Sequence, residues 1–381
     1  MLVTGASGFV GARLVERLAL ESNATPRVLV RSIGRAAPLS RLPIEIAVGD
    51  LRDSRAVEAA VRGCTVVIHC ARGTHGTLAE RRQVDVEGAR NILEASVHAG
   101  VDRVVHTSTI AVYRVPSSGF VDEGLPYGDD RDPYAEAKRE AERLALRYAR
   151  HLPVVVVQPT VVYGPGAGIH GRDVIEELST TRIPLINAGR GVCNALYVDD
   201  LVTALLLAAT KERALGERFL ISGAEHPTWG QFYDAFERML GVRRTVELTE
   251  REALKHWKRS SRREWLLPRA LQAVRSDSAL RTDLLATKEG VLVRRVAERV
   301  LPAAYFAPER WVDRDGEPTR AELPLAAFKP QVVHTLASTA HVRIDKAREL
   351  LGYEPAFDFD RGMSLTEAWA RWEGLIPQND Q

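Results

Sequence analysis

The chain has 381 residues, of which 45% are hydrophobic and 27% charged, and its 52 basic and 50 acidic residues leave a net charge of +2. These are ordinary globular values, so the composition excludes a wholly disordered chain. So small a positive surplus does not predict nucleic-acid binding. The three cysteines (Cys64, Cys70 and Cys193) are far apart and form no CxxC pair, which argues against a disulfide scaffold or a zinc site and favours the cytoplasm.

The chain opens on a short apolar run, Leu2–Thr4, that leads directly into a glycine. No charged segment followed by a long apolar segment comes before it, so we expect no signal peptide. A membrane-spanning helix needs roughly 18 apolar residues. The longest candidates, 152–157 and 201–209, are much shorter.

Short runs rich in valine and isoleucine alternate with helical patterns through the first half of the chain. The predicted strands are Leu2–Thr4, Arg27–Val30, Ile44–Ala47, Val66–His69, Arg103–Thr107 and Val154–Val157. The predicted helices are Phe9–Leu20, Arg55–Arg62, Val84–Ala99 and Tyr134–Arg150. Continuously apolar strands separated by helices are typical of a parallel sheet buried on both faces. The sequence therefore predicts an α/β fold with a Rossmann-type doubly wound parallel sheet.

The alternation is less regular after Gly166. The predicted elements there are a helix over 199–210, a strand over 219–222, a helix over 228–240 and a closing helix over 364–372. Residues from about 250 to 335 differ from the rest, because they are rich in arginine, leucine and tryptophan and are broken by several prolines.

These patterns predict two domains. We expect a dinucleotide-binding domain over residues 1–164, with additions from about 190–222. We expect a smaller substrate-binding lobe over residues 165–381, and this lobe carries a mostly helical, basic insertion at about 250–335.

A glycine-rich loop with GxxGxxG spacing follows the first predicted strand and opens the first predicted helix. The residues assigned to this site are Gly5, Ser7, Gly8, Phe9, Val10 and Gly11. Gly5 permits a sharp turn, Gly8 lets a pyrophosphate approach the backbone, and Gly11 lets the helix pack closely on the strand. The N–H groups and dipole of the helix start attract phosphates. This context predicts a dinucleotide site, with a purely structural turn as the alternative.

An arginine stands at the end of the second predicted strand, where an acidic residue would accept hydrogen bonds from an adenosine ribose. Arg31 cannot accept such bonds but can pair with a 2′-phosphate, and Ser32 and Arg35 follow closely. This favours NADP(H), with NAD(H) as the alternative. Asp50 and Leu51 follow the third strand, at a position where an acidic side chain can accept a hydrogen bond from the adenine amino group.

Tyr134 and Lys138 are four residues apart on a predicted helix, so their side chains share one face. A lysine ammonium beside a phenol favours the phenolate, which suits a general acid/base. Thr107, Ser108 and Thr109 lie just past a buried strand and add hydroxyl groups. An exposed helix pair without a catalytic role is the alternative interpretation.

Several motifs occur in one order along the chain. They are TGASGFVG at 4–11, GDLRD at 49–53, VIHCA at 67–71, VDVEGARNILEA at 84–95, HTSTIAVY at 106–113, YAEAK at 134–138, QPTVVYGPG at 158–166, YVDDL at 197–201 and KARELLGYEP at 346–355. In this set the sequence resembles the extended short-chain dehydrogenase/reductase family, the NAD(P)-dependent epimerase/dehydratase-like group. The resemblance covers about residues 1–245 and 342–375.

The resemblance implies roles for the matched positions. Tyr134 is expected as the general acid/base, and Lys138 as the residue that binds the nicotinamide ribose and tunes Tyr134. Thr109 takes the place of the family's catalytic serine or threonine, with Ser108 as the alternative. The remaining positions expected along the cofactor are Cys70, Ala71, Arg72, Thr107, Pro159, Thr160, Val161 and Val162.

Three departures from the family pattern bear on the reaction. Ile110 and Ala111 stand where the family's sugar 4,6-dehydratases carry Asp-Glu, so elimination of water is disfavoured. The stretch 191–196 lacks the arginine with which nucleotide-sugar members grip a diphosphate, although Arg190 is close. Asp85 stands where the family often has asparagine, and we expect it to serve as a polar tie beside the site.

Residues 251–275 carry eight arginine and lysine residues against two glutamates, a local net charge of +6, and tryptophan and leucine are interleaved with them. Three interpretations stay open. In the first, the segment caps the substrate as a lid. In the second, it forms an oligomer or packing contact, and in the third, it lies on an anionic membrane surface.

We therefore expect an NAD(P)-dependent oxidoreductase that transfers hydride reversibly at a carbonyl/alcohol carbon, as a net reductase or dehydrogenase. The expected substrate is a small molecule, sugar-like or otherwise hydroxylated, with a lipid-linked one as a further option. The alternatives are a nucleotide-sugar epimerase with a retained cofactor and a non-catalytic NADP(H)-binding sensor. We expect no metal and no nucleic-acid partner, and a homodimer in the cytoplasm or peripheral to the membrane.

Overall fold

The computed structural model describes residues 1–21, 25–74, 76–128, 132–265 and 323–377, and the backbone alone for 262–265. The chain divides into two compact units. The first consists of residues 1–176, 189–241 and 335–381, and the second of residues 177–188 and 242–334. Most of the predicted insertion, residues 266–322, lies outside the described residues.

The strands of the described chain follow in sequence order. They are β1 (Leu2–Thr4), β2 (Arg27–Val30), β3 (Glu45–Val48), β4 (Val66–His69), β5 (Arg103–Thr107), β6 (Phe120–Val121), β7 (Val154–Pro159), β8 (Val161–Tyr163), β9 (Ile183–Ile186), β10 (Ala195–Tyr197), β11 (Arg218–Ile221), β12 (Thr245–Leu248) and β13 (His341–Val342).

Among these strands, seven form a parallel sheet in the order β11-β7-β5-β4-β1-β2-β3. The central strands are mostly apolar, and every residue of Val154–Val157 is fully buried. Helices flank a sheet of this kind on both faces. The predicted doubly wound α/β fold is confirmed.

The α-helices of the described chain alternate with the strands through the first unit. They are α1 (Phe9–Glu21), α2 (Ser54–Val61), α3 (Leu78–Arg82), α4 (Gly88–Ala99), α5 (Pro133–Tyr148), α6 (Asp173–Thr180), α7 (Val198–Thr210), α8 (Trp229–Leu240), α9 (Glu250–Trp265), α10 (Pro330–Ala337), α11 (Asp345–Leu351) and α12 (Phe359–Trp372).

Several elements differ from their predicted bounds, among them β3, the helix predicted over 84–99 and the last helix. The third strand, β3, lies one residue later than predicted and at the sheet edge, where Ile46 and Val48 are exposed. The helix predicted over 84–99 begins as one π-helical turn, Gln83–Glu87, before α4. The last helix starts five residues earlier than predicted, because Asp358 caps it by accepting a hydrogen bond from Arg361 N at 2.7 Å.

The parallel sheet fixes where the site lies. Carboxyl ends of parallel strands meet at one edge, and ligands of such sheets bind outside that edge. The residues that directly follow β1, β4, β5 and β7 at this edge are Gly5, Cys70, Ser108 and Thr160, respectively. The residues that the sequence singles out on separate strands therefore converge.

In the second unit, β9 pairs in parallel with β12. α9 buries Ala253 and exposes Arg251, Lys255, Lys258 and Arg259. Of the helices in the described ranges, none has both the length and the apolar composition required to cross a membrane.

Candidate active site

The glycine loop is shaped by backbone atoms in direct contact. Gly5 has φ +70°, and a Cβ on it would lie 2.7 Å from the backbone N and Cα of Ala71. A Cβ on Gly11 would lie 2.2 Å from the Gly5 carbonyl oxygen. Gly8 N donates to that same oxygen at 2.9 Å, while Ser7 and Gly8 face solvent. Backbone atoms therefore pack closely against the inner side of the loop, and its outer side is exposed to solvent. A pyrophosphate can approach the backbone from that outer side.

The first turn of α1 completes this cradle. Phe9 and Val10, both half-buried, begin the helix, whose first N–H groups have no partner within the helix itself. A Cβ on Gly166 would lie 3.6 Å from Phe9 Cδ2, so the loop after β8 runs beside the glycine loop. The residues present fit a dinucleotide at this edge of the sheet.

The predicted adenosine end lies at the carboxyl ends of β2 and β3. Arg31, Ser32 and Arg35 are all exposed there. Asp50 accepts hydrogen bonds from Arg52 Nε at 2.9 Å and from Arg52 Nη2 at 2.7 Å. These bonds hold the pKa of Asp50 below its usual range, and the charge of Arg31 contributes. The carboxylate is thus ionised but already paired with Arg52, a residue that sequence reasoning did not single out.

Leu51 follows Asp50 and is buried against α4. Its carbonyl oxygen accepts a hydrogen bond from Asn91 Nδ2 at 2.7 Å. A Cβ on Gly88 would lie 3.0 Å from Leu51 Cβ. The loop after β3 is thereby fixed to the helix that follows β4.

The loop after β4 carries Cys70, Ala71 and Arg72. Cys70 Sγ lies 3.4 Å from Thr107 Oγ1, and burial raises the pKa of the Cys70 thiol to about 11, so it stays a neutral thiol. Asp85 is buried in the π-helical turn and accepts a hydrogen bond from Gly73 N at 3.0 Å. This bond ties the loop to the element after it.

The catalytic candidates on α5 face the end of β5. Lys138 is buried, and its Nζ donates to the Thr107 carbonyl oxygen at 3.2 Å. Tyr134 is half-buried, and the Arg72 guanidinium lies 5.1 Å from the centroid of its ring. Asp132 caps the helix by accepting a hydrogen bond from Ala135 N at 3.1 Å. The first turn of α5 is therefore fixed where Tyr134 stands.

The two adjacent hydroxyl groups have different surroundings. Ser108 Oγ donates to Glu142 Oε2, and Glu142 is fully buried. Thr109 Oγ1 accepts a hydrogen bond from Ala111 N at 3.2 Å and keeps its own proton to donate. Successive residues of an extended chain point to opposite sides, so the two hydroxyl groups lie in different surroundings.

Two buried histidines lie near Lys138. The rings of His69 and His106 stack with centroids 5.5 Å apart, and Thr4 Oγ1 lies 2.7 Å from His69 Nδ1. Burial, and then the charge of Lys138, lowers the pKa of His69 to about 3. Burial also lowers the pKa of His106 far below its usual value, with the charges of His69 and Lys138 contributing. Both rings are therefore neutral near pH 7.

The end of β7 is held by the next strands. Thr160 Oγ1 lies 3.3 Å from Ser222 Oγ, and Thr160 N donates to the Ile221 carbonyl oxygen at 3.0 Å. Val161 N donates to the Asn194 carbonyl oxygen at 3.4 Å. The stretch that the resemblance places beside the nicotinamide, Pro159 to Val162, thus runs along the carboxyl edge of the sheet.

His170 belongs to this region and was missed by sequence reasoning. It lies in the π-helical turn Gly168–Arg172, and its Nδ1 is 3.3 Å from the Val162 carbonyl oxygen. Burial lowers the pKa of His170, and the charge of Arg72 contributes. No linear motif signals this residue, whose backbone is non-helical within the turn (φ −108°, ψ 34°).

Within the described ranges, no three or more histidine, cysteine, aspartate or glutamate side chains are grouped so that they could hold a metal ion. The glycine loop on a parallel α/β sheet and the Tyr134–Lys138 pair agree with an NAD(P)-dependent enzyme of the short-chain dehydrogenase/reductase class. The chain belongs to the NAD dependent epimerase/dehydratase family, whose model matches residues 1–222.

Individual relatives agree with this assignment. A sterol demethylase protein B of Methylococcus capsulatus is 32% identical over 250 residues, which cover 63% of this chain and 74% of the relative. A 2-alkyl-3-oxoalkanoate reductase of Stenotrophomonas maltophilia is 31% identical over 244 residues, 59% of this chain and 71% of the relative. A solved dTDP-glucose 4,6-dehydratase of Streptomyces venezuelae, with NAD bound, shares the fold with a TM-score of 0.67 at 21% identity, covering 99% of this chain and 98% of that one.

Proposed function

We propose that the protein is a net reductase or dehydrogenase that transfers hydride reversibly at a carbonyl/alcohol carbon of a hydroxylated small molecule. The observation that carries this proposal is the convergence of three groups at the carboxyl edge of the sheet. They are Tyr134, Lys138 bonded to the Thr107 carbonyl oxygen, and the Thr109 hydroxyl with its free proton.

Each of these side chains has one task. Tyr134 gives its phenolic proton to the substrate oxygen during reduction and takes it back during oxidation. Thr109 donates a hydrogen bond to the same oxygen and orients it. Lys138, fixed by Thr107, supplies the positive charge that stabilises the phenolate. The nicotinamide cofactor, when bound, supplies or accepts the hydride.

We propose NADP(H) as the preferred cofactor, with NAD(H) as the alternative. The support is the exposed trio Arg31, Ser32 and Arg35 at the end of β2, where guanidinium groups can pair with a 2′-phosphate. The Asp50 carboxylate is close enough to feel the charge of Arg31, but its ion pair is with Arg52. It therefore neutralises the charge of Arg31 only in part.

For the substrate, we propose a hydroxylated or keto compound that is not a nucleotide sugar. Two departures support this choice. The Asp-Glu pair of the sugar dehydratases is replaced by Ile110 and Ala111, and the stretch 191–196 has no arginine. The names of the two sequence relatives point to alcohols or ketones on lipid-like skeletons. We assign substrate recognition to the residues after 165.

One experiment separates the reaction types. The purified protein is incubated with NADPH or NADH and, in turn, a 3-keto steroid, a 2-alkyl-3-oxoalkanoate and UDP-glucose, while the absorbance of the reduced cofactor is followed. Stoichiometric consumption supports net reduction. Conversion of UDP-glucose with a flat absorbance and no added cofactor supports an epimerase with retained cofactor. Cofactor binding without any conversion supports the non-catalytic sensor.

Assembly and location belong to the proposal as well. We propose a cytoplasmic homodimer, in which the basic segment 251–275 serves as a lid, a packing contact or a membrane-surface contact. The exposed cations of α9 support contact with anionic lipid. Co-sedimentation with anionic vesicles that weakens with salt would support the membrane interpretation, and absence of binding at low salt would remove it. Light scattering measures the mass of the assembly.

A further inference from the structure

A fully buried carboxylate, that of Glu142, lies behind the strand ends of the site. It accepts hydrogen bonds from Ser108 Oγ, from Tyr127 OH at 2.9 Å and from Gln158 Nε2 at 2.8 Å. Its exposed fraction is 0%. A buried charge is retained only where hydrogen bonds compensate for lost water. The three donors, from three separate parts of the chain, provide that compensation.

The surroundings of this carboxylate are themselves fixed. Tyr113 OH donates to Gln158 Oε1 at 2.9 Å, so the Gln158 amide is oriented with its nitrogen toward Glu142. The Arg218 guanidinium lies 3.8 Å from Glu142 Oε1 and donates to Tyr127 OH at 3.1 Å. Burial, followed by the charge of Glu142, raises the pKa of Tyr127 to about 12, so its phenol stays a donor. The cluster is therefore a connected polar network without an alternative arrangement of the Gln158 amide.

The positions of the bonded residues connect the network to the site. Ser108 directly precedes Thr109, and Gln158 directly precedes Pro159, the first residue of the stretch expected beside the nicotinamide. Glu142 itself follows Lys138 by one turn of α5. One carboxylate thus joins the helix that carries Tyr134 and Lys138 to the two strand ends that face them.

We propose that Glu142 is a positioning residue for hydride transfer. It holds the ends of β5 and β7 at a fixed distance from α5, so that the Thr109 hydroxyl and the Tyr134 phenol reach the same substrate oxygen. This inference rests on the proposed function. A displacement of about 1 Å between reacting groups is enough to lower a rate about 100-fold.

The chemistry of the donors suggests which substitutions separate geometry from charge. Ser108 and Tyr127 carry hydroxyl groups, which can accept a hydrogen bond instead of donating one. Only Gln158 Nε2 must donate. The amide of Glu142→Gln can therefore accept from Gln158 and donate to a hydroxyl. Glu142→Leu instead removes the acceptor from all three groups and leaves Tyr127 OH only its hydrogen bond from Arg218.

The test compares Glu142→Leu and Glu142→Gln with Leu144→Ala, a control on the same helix that removes a buried apolar side chain outside the network. The readouts are kcat, KM and cofactor Kd with the carbonyl compound that the wild type reduces. Hydrogen exchange of peptides covering 103–113 and 154–162 is measured in parallel. The double variant Glu142→Gln/Gln158→Glu, which returns one carboxylate and one amide to the network, is included in case Glu142→Leu fails to fold.

We expect Glu142→Leu to lower kcat about 100-fold, while cofactor Kd changes less than about threefold. Exchange should rise in both strand-end peptides but not in the glycine loop. Glu142→Gln and the double variant should keep kcat within about fivefold of the wild type. Leu144→Ala should lower stability with kcat within about twofold, assayed where it is fully folded.

Equal kcat losses in Leu144→Ala and Glu142→Leu would overturn the proposal, because the effect would then follow stability alone. So would a kcat loss in the double variant as large as that in Glu142→Leu. If the wild type turns over no carbonyl compound, the proposed function fails, and the exchange pattern then decides separately whether Glu142 fixes the strand ends.

Discussion

The two halves of the candidate site are held in place by different means. The cofactor half depends on backbone atoms in contact, since neither Gly5 nor Gly11 leaves room for a Cβ. The catalytic half depends on side-chain hydrogen bonds that converge on the buried Glu142, and Ser108 is one of its donors. The first half should therefore fail when atoms are added, and the second when a polar partner is removed.

The largest expected effect follows from adding atoms to the cofactor half. Gly11→Val places a Cβ 2.2 Å from the Gly5 carbonyl oxygen, so the loop or α1 must shift. We expect cofactor affinity to fall about 100-fold or more, with unfolding at lower denaturant concentration. Fluorescence titration with NADPH measures the loss.

The matched control is Gly124→Ala, whose new Cβ meets only a movable carboxylate oxygen of Asp122, at 3.0 Å. It should bind the cofactor as the wild type does. Wild-type affinity in Gly11→Val would show that the close backbone approach is not required, and the steric account of this half would fail.

The adjacent hydroxyl groups provide the next test. Thr109→Val removes the hydroxyl proposed to orient the substrate oxygen, and we expect kcat to fall about 100-fold. Ser108→Ala should lower kcat less than Thr109→Val does, because only one of the three hydrogen bonds to Glu142 is lost, and it should lower the free energy of unfolding by about 1–3 kcal/mol. Steady-state kinetics and denaturant titration of both variants distinguish the two roles, and a reversed ranking of kcat would assign catalysis to Ser108.

Acid should destabilise the sheet edge through the histidine pair. His69 is neutral in the folded chain, with its pKa lowered from 6.5 to about 3. The unfolded chain binds the proton below pH 6.5, so folding stability is constant above that pH and falls as pH drops toward 3, by about 1.4 kcal/mol per pH unit for each such group. From pH 7.5 to pH 5 the loss is about 2 kcal/mol for His69 alone.

The variant His106→Phe tests this assignment. The Nε2 atom of His106 is buried without a hydrogen-bond partner, so phenylalanine removes a titrating group and leaves no acceptor or donor behind. We expect the loss of unfolding free energy between pH 7.5 and pH 5 to shrink by about 2 kcal/mol, the contribution of one buried neutral histidine. An unchanged slope would mean that other groups dominate acid unfolding.

The smallest effect is expected for cofactor choice. Arg31→Ala should lower affinity for NADPH about tenfold and leave NADH unchanged, since an exposed guanidinium pairs only with the additional phosphate. Isothermal titration with both cofactors at low salt measures the ratio. A ratio equal to that of the wild type would remove the argument for NADP(H).

The fold could be predicted, and the candidate cofactor half proposed, because their determinants are local in sequence. The valine-rich strands, the glycine spacing and the Tyr134–Lys138 spacing each lie within one short segment. The resemblance to a known family then ordered these segments. The observed elements differ from the predicted ones mainly at their ends, where capping residues such as Asp358 decide the boundary.

The catalytic half was less predictable because its contacts join distant segments. Ser108 and Glu142 are 34 residues apart, and neither residue forms a motif with the other. The position of His170 depends on a backbone kink that no residue pattern marks. Hydrogen bonds of this kind are decided by tertiary packing, so the different partners of Ser108 and Thr109 could not be predicted from the sequence.

The measurement that tests the central claim most directly is the turnover of Tyr134→Phe with cofactor binding measured on the same sample. Tyr148→Phe is the control, since Tyr148 lies on the same helix with its hydroxyl 3.3 Å from Glu94. If Tyr134 moves the proton, its variant binds NADPH as the wild type does and loses about 100-fold or more in kcat, while Tyr148→Phe stays active. Full turnover by Tyr134→Phe would contradict the account.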